Sequence, residues 1–157
     1  MKLSYYNPDP TTVPATTTTF INQEYCTSLL RSSNHRYVTQ NGKFCYEYVD
    51  RSVSWEEATN DCRNRSGNLL EILTSVTNNV IYNFIGDIGQ PRLIWIGLHD
   101  RINEEDWKLD TSTPLSKTQY TNWMPSRYID EYHVTEDCVV LFRHNATGYN
   151  CDINDYK

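Results

Sequence analysis

Apolar and polar positions follow different periods along these 157 residues, and the changes of period mark the elements. The most apolar run is Leu93-Ile94-Trp95-Ile96-Gly97-Leu98, between Pro91-Arg92 and His99-Asp100. Its shortness, β-branched content and flanks predict a strand buried on both faces rather than a piece of helix. Gly97 inside it predicts a bulge or a close backbone approach. Upstream, Tyr37-Val38-Thr39 and Lys43-Phe44-Cys45-Tyr46-Glu47-Tyr48-Val49 flank Asn41-Gly42. Asn-Gly is a hairpin signal because both turn positions want positive φ, and the second arm alternates on Phe44, Tyr46 and Tyr48.

The period then changes to that of a helix. Ser54-Trp55-Glu56-Glu57 reads as a capping box, in which Ser54 accepts from the Glu57 amide and Glu57 reaches back. Trp55, Ala58 and Cys62 share one face, and Gly67 offers a left-handed stop. Leu69 to Leu73 forms a short strand or extended link. A second helix is predicted from about Ser75, burying Val76, Val80, Ile81, Phe84 and Ile85 and stopping at Gly86. Beyond Leu98 the pattern is lost. From His99 to Thr135 the chain is polar and turn-rich, with Trp107, Tyr120, Trp123 and Tyr128 as isolated anchors. A loop that long is functional or disordered, and its spaced aromatics predict a packed, functional one. Cys138-Val139-Val140-Leu141-Phe142 returns as a buried strand.

Residues 1–24 show no periodicity, and 7–19 are rich in Thr and Pro. Such a segment cannot bury enough surface to offset its ordering entropy, so 1–24 is expected to be a disordered stalk or linker. It reads equally as an O-glycosylated spacer or an unmodified tail. Residues 25–157 are then one domain, a size that supports one core. A net charge of -6 argues against nucleic-acid or anionic-membrane partners, which ask for clustered Lys and Arg. No apolar run is long enough for membrane insertion, and Met1 to Pro8 holds no signal-peptide core. Five cysteines, Cys26, Cys45, Cys62, Cys138 and Cys151, form no CxxC pair, and Asn64-Arg65-Ser66 and Asn145-Ala146-Thr147 match glycosylation acceptors at Asn64 and Asn145. Both features point to an oxidising, extracellular setting.

The ordered set of motifs resembles a C-type lectin-like domain. It runs Phe44-Cys45-Tyr46, Ser54-Trp55-Glu56-Glu57-Ala58 with Cys62, Gly67-Asn68-Leu69-Leu70-Glu71-Ile72, and Trp95-Ile96-Gly97-Leu98. Trp107, Tyr120-Thr121-Asn122-Trp123, Glu136-Asp137-Cys138-Val139 and Cys151 complete it. The resemblance implies an α+β fold: two helices, two small antiparallel sheets and a long-loop region that carries ligands. It pairs Cys138 with Cys151, a bond worth about 3 kcal/mol in the chain-entropy model. It also pairs Cys26 with Cys45, as in the long form. Cys62 is left unpaired, because its partner belongs to a closing strand expected just past Lys157. Loss of that bond costs a small secreted domain about 2–5 kcal/mol, and the first core strand loses its terminal neighbour.

Sugar-binding members hold calcium with a Glu-Pro-Asn or Gln-Pro-Asp tripeptide and a Trp-Asn-Asp strand, whose oxygens suit a hard cation. Here the tripeptide position reads Arg127-Tyr128-Ile129, and Ala146 to Asn150 precedes Cys151 without an Asp. The usual calcium-bridged sugar site is therefore not expected. At the neighbouring structural calcium position the resemblance matches Asp100, Glu104, Asp130, Glu136 and Asp137, with one extra residue between Asp130 and Glu136. A solvated acidic loop is the other reading of those five. No His-Glu-x-x-His pair, Gly-x-Ser-x-Gly elbow or phosphate loop occurs, so an enzyme is not expected. The expected function is extracellular recognition of a glycan or protein through 99–135, with Arg127, Tyr128, Tyr132 and Glu136 as ligand contacts, since aromatics and Arg dominate interface energies. The alternative is a non-sugar-binding interaction domain of a mosaic receptor or matrix protein.

Overall fold

The computed structural model describes residues 1–6, 26, 36–89, 93–118, 120–123, 136–142 and 147–151, with backbone alone for 36, 142 and 147–151. Its elements are β1 (Lys2–Tyr6), β2 (Arg36–Asn41), β3 (Phe44–Val49), α1 (Trp55–Asn64), β4 (Asn68–Leu69) and α2 (Ser75–Ile88). These are followed by β5 (Leu93–His99), β6 (Lys108–Leu109), a 3-10 turn (Leu115–Lys117), β7 (Cys138–Phe142) and β8 (Thr147–Cys151). The described strands form one sheet in the order β2-β3-β1-β5-β7-β8, with β4 also pairing with β1 and β6 with β5. One connected sheet therefore replaces the two small ones expected, while the α+β class stands.

Local chemistry explains most of the boundaries. The capping box at Ser54 is formed: its Oγ accepts from the Glu57 amide at 3.2 Å and its amide donates to Glu57 Oε2 at 2.9 Å. Trp55, Ala58 and Cys62 then pack against Leu69, Trp95 and Val140. The hairpin turn is one residue later than Asn41-Gly42 suggests. Asn41 pairs with Phe44, so the turn is Gly42-Lys43, and of these only Gly42 needs positive φ, at 58°. Helix α2 passes through Gly86 to Ile88, and Gly89, at φ 116°, ends it. Its buried face is Asn78, Ile81, Phe84 and Ile85. Val76, expected inside, is 64% exposed because it lies roughly 140° around the helix from Ile81 at about 100° per residue.

Two glycines are required by close approach. A Cβ on Gly97 would sit 2.9 Å from the Leu69 carbonyl oxygen, and the β5–β7 register slips between Trp95 and His99. The strand thus holds both the bulge and the near contact its sequence suggests. Gly67 is not the left-handed stop of α1; Ser66 takes that conformation, at φ 60°. Gly67 is small because a Cβ there would lie 2.5 Å from Tyr6 Cε1.

That contact belongs to the main departure from the sequence reading. Residues 1–24 are not all stalk: Lys2–Tyr6 is an interior strand. It pairs antiparallel with β3 along its whole length, from Lys2 opposite Val49 to Tyr6 opposite Cys45. Its other edge meets β4 antiparallel and β5 parallel. Trp95 N donates to the Met1 carbonyl at 3.0 Å and Leu70 N to the Leu3 carbonyl at 2.8 Å. β1 thus gives β3 a paired neighbour on this edge. The Thr/Pro composition of 7–19 masked a five-residue strand whose alternation is too short to stand out. The rest of the expected stalk, 7–24, lies outside the described residues.

The alternation of β1 gives it two different faces. Leu3, with Tyr5 beside it, enters the main apolar core with Leu70, Ile81, Ile94, Ile96 and Leu141. Lys2, Ser4 and Tyr6 face α1 and meet charge. Lys2, only 1% exposed, ion-pairs with Asp61 and donates to Cys62 Sγ at 3.2 Å. Arg65 bridges Glu47 at 2.5 Å and Asp61 at 3.0 Å, and Tyr6 Oη donates to Glu47 Oε2 at 2.9 Å. Burial pushes the Asp61 carboxyl up, but Lys2 and Arg65 together outweigh it and hold it below its ordinary range. Burial also pushes the Cys62 thiol up, so it stays protonated beside the ammonium, and among the described residues it forms no disulfide. Cys26 and Cys45 form the disulfide expected, pinning Cys26 to β3.

Glu47→Ala strands Arg65 and the Tyr6 hydroxyl, so it should destabilise the domain by about 3–5 kcal/mol in denaturant unfolding. Glu56→Ala, which removes only a surface pair with Arg101, should leave the midpoint essentially unchanged. Gly97→Ala should cost about 1–3 kcal/mol, because the backbone it meets cannot rotate away.

Candidate functional site

Strand β5 ends where the long loop begins and delivers Asp100 there, 3% exposed. The Asp100 amide donates to the Asp137 carbonyl at 3.1 Å, which ties the start of the loop to the approach to β7. Its Oδ2 accepts from the Glu105 amide at 2.9 Å, while Oδ1 is buried with no hydrogen-bond partner among the described residues. Burial, and then the charges of Glu104 and Asp137, push this carboxyl up to about 6 against the opposing Glu105 amide. A buried carboxylate oxygen lacking a donor, among other carboxylates, suits an oxygen-seeking cation in chemistry. Glu104 is exposed, and Glu136 and Asp137 are half-buried. Among the described residues, no three His, Cys, Asp or Glu side chains converge closely enough to hold a metal. The fifth expected donor, Asp130, lies outside the described residues.

The first half of the loop is a fixed platform. Leu109 pairs with Leu98 through β6, and Leu115 N donates to the Trp107 carbonyl at 2.9 Å. Trp107, 8% exposed, packs against Trp123 with ring centroids 5.2 Å apart. Trp123 also lines a cavity of about 50 Å³, together with Leu70, Ile96, Leu98, Leu115 and Tyr120. Asn122 donates to Asn78 of α2 at 3.3 Å at its wall. At the mouth of β5, His99 meets the Trp55 ring edge-on at 5.0 Å and the Arg101 guanidinium lies over that ring at 5.2 Å. Burial, then Arg101, holds the His99 imidazole below its ordinary range, so it is neutral at pH 7.

Two carboxylates not singled out from sequence hold this platform to the core. Asp110, 6% exposed, accepts from Arg63 Nη2 at 2.6 Å and from the Leu69 amide at 3.2 Å, while its own amide donates to Gly97 O at 2.8 Å. Glu71 accepts from the Thr111 amide at 3.0 Å and from Tyr5 Oη at 3.2 Å, and burial pushes its carboxyl up. Their one signal was a lone acid beside apolar residues, in Leu109-Asp110 and Leu70-Glu71-Ile72.

Of the residues expected to act, Asp100 and Asp137 meet through their backbones and the charges of Glu104 and Asp137 act on the Asp100 carboxyl, but among the described residues no three of these side chains come together as a metal site. Arg127, Tyr128, Tyr132 and Asn145 lie outside the described residues. Asn64 is exposed at the last position of α1. Cys138 and Cys151 are register partners on β7 and β8.

Comparison with known proteins agrees with this architecture. The family model described as the lectin C-type domain matches residues 51–156. The rat (Rattus norvegicus) versican core protein is 32% identical over 106 residues, which are 68% of this chain but 4% of that protein. The human (Homo sapiens) C-type lectin domain family 17, member A is 30% identical over 114 residues, 72% of this chain and 27% of that protein. The chain therefore spans a small part of the curated relatives it matches. In structure, it is similar to the C-type lectin CEL-I from Cucumaria echinata, with a TM-score of 0.65 at 19% identity, covering 78% of this chain and 90% of that one. With a family model matched over two thirds of its length and the same fold, this chain belongs to the C-type lectin domain family.

Proposed function

We propose that this domain is an extracellular recognition module that binds a glycan or a protein through the loop region leaving β5, without the usual calcium-bridged sugar site. The observation that carries this reading is the build of the loop. Its first half is a platform clamped by Asp110, Glu71 and the tilted Trp107–Trp123 pair. Its second half carries Arg127-Tyr128-Ile129 where sugar-binding relatives carry a calcium-holding tripeptide. A guanidinium there repels the cation that would bridge sugar hydroxyls, yet it suits direct contact with a ligand. Arg127, Tyr128, Tyr132 and Glu136 are the contacts in this reading, and function comes from binding rather than catalysis.

Calcium, in this proposal, occupies the structural position and not a sugar bridge. Asp100, Glu104, Glu136 and Asp137 are its donors, with Asp130 from the second half of the loop. The ion would satisfy Asp100 Oδ1 and fix the loop against β7. The second reading is a non-sugar-binding interaction domain of a mosaic receptor or matrix protein, consistent with a match that covers 4% of the rat versican core protein. Asn64 and Asn145 are proposed as glycan acceptors, consistent with the exposure of Asn64. Cys138 and Cys151 are proposed to be disulfide-bonded. Among the described residues no helix is long and apolar enough to cross a membrane.

Calcium at about a hundredfold over its Kd should raise the melting temperature by about 5 °C or more. Asp100→Asn should abolish that shift, and a wild-type protein indifferent to calcium would count against the structural ion. On a glycan array, binding should persist in chelator. Mannose or galactose binding that chelator abolishes would contradict the proposed site, and silence towards all glycans would favour the protein-binding reading. Arg127→Ala and Tyr128→Ala should each weaken ligand binding about tenfold or more without lowering the melting temperature.

A further inference from the structure

We propose that the aromatic cavity beside Glu71 is a second binding site, for the trimethylammonium group of a small organic cation such as choline. The cavity, about 330 Å³, lies between β1, the start of β3, the link 68–73 and the first turn of α2. That volume falls in the range of small-molecule sites, and it is several times the 50 Å³ of the cavity beside Trp123. Three of its walls are rings. Tyr5 and Phe44 meet at 76° with centroids 5.9 Å apart, and Phe44 and Tyr46 meet at 45° with centroids 6.4 Å apart. Rings set at such angles form a corner rather than a flat stack, and their faces are electron-rich. Leu73, 41% exposed, also lines the cavity, so a ligand can reach it from solvent.

The charge at this cavity is one-sided. Glu71 is the one charged side chain among the described residues that line it. Other inward carboxylates of the domain meet a cation: Glu47 meets Arg65, Asp61 meets Lys2 and Arg65, and Asp110 meets Arg63. Among the described residues no cation pairs with Glu71, whose partners are two neutral donors, the Thr111 amide at 3.0 Å and Tyr5 Oη at 3.2 Å. A half-buried carboxylate without a counter-ion carries a desolvation cost that a bound cation offsets, and burial already pushes this carboxyl up. The neighbouring polar groups are engaged with one another. Asn68 and Thr77 bond the hydroxyls of Tyr5 and Tyr46, and the Thr77 amide in the first turn of α2 donates to Thr74 Oγ1 at 3.0 Å. An ammonium group that needs hydrogen bonds is poorly served by such walls. A fully alkylated one needs none, and its methyl groups pack on ring faces. The Phe44 ring already draws one cation: Lys43 Nζ lies 5.3 Å from its centroid, and Lys43 does not line the cavity.

The test titrates choline chloride into the full chain, followed by the NMR signals of the aromatic side chains. A parallel titration uses the neutral isostere of choline, in which carbon replaces the nitrogen. Choline should bind at least about tenfold more tightly than the isostere and shift the Tyr5, Phe44 and Tyr46 signals. Glu71→Gln should remove that preference and leave isostere binding unchanged. The amide oxygen of Gln can still accept from Thr111 while its nitrogen meets Tyr5 Oη, so the surrounding hydrogen bonds are kept. Phe44→Leu, which keeps apolar bulk but no ring, should weaken choline binding about tenfold, and it decides the question alone if Glu71→Gln does not fold. Phosphocholine and trimethyllysine present the same group, and the tighter of the two identifies its source, either one supporting the site. Three results would overturn the proposal. They are equal affinity for choline and its isostere, no aromatic shift up to about 50 mM choline, or a preference for choline that persists in Glu71→Gln.

Discussion

The fold depends on closing the sheet between β3 and β5, and one short strand closes it. Without Lys2–Tyr6, one edge of β3 and the parallel neighbour of Lys2 on β5 would present unpaired backbone groups inside the molecule. Such groups carry a heavy desolvation cost when no water can reach them. The same strand buries an ammonium group. Lys2 is tolerated because Asp61 lies against it and Arg65 and Glu47 complete an alternating set of two cations and two anions. A set of this kind contributes little net stability compared with apolar packing, but it fixes register. Sliding β1 by one residue would place Lys2 in the apolar cluster and Leu3 against Asp61.

From this frame the candidate site follows by short steps. Gly97 lets β4 and the Asp110 segment approach β5 closely, Asp110 clamps the loop to α1 and β4, and the Asp100 amide ties the end of β5 to the Asp137 carbonyl. The described first half of the long loop is therefore not a free excursion. It leaves the sheet already oriented, with one buried carboxylate oxygen that has no donor among the described residues at its root and a packed pair of tryptophans, of which Trp123 lines a small cavity.

Elements with a strong local signal were legible in the sequence. The capping box at Ser54, the apolar stripe of α1 and the strand at Leu93 stand where their patterns place them, because propensity, capping and burial agree there. Family likeness, with the Cys26–Cys45 bond, was legible from the ordered motifs. The rest turned on long-range contacts that no window of sequence contains. The role of β1 depends on a slot built by residues about forty or more positions away. Gly67 looks like a helix stop, yet its size is set by Tyr6. Gly86 looks like a breaker, but packing of Ile81 and Ile85 carries α2 through it. Asp110 and Glu71 each act through partners about forty residues distant.

If β1 is the strand on which the sheet depends, its amides must be as inaccessible as those of the core. Hydrogen–deuterium exchange of the intact chain reads this directly, by comparing the peptide that covers Lys2–Tyr6 with the one that covers Leu93–His99. The account predicts that both exchange at the slow rate set by global unfolding. Exchange of the Lys2–Tyr6 peptide within seconds, while Leu93–His99 stays protected, would contradict it and return those residues to the stalk.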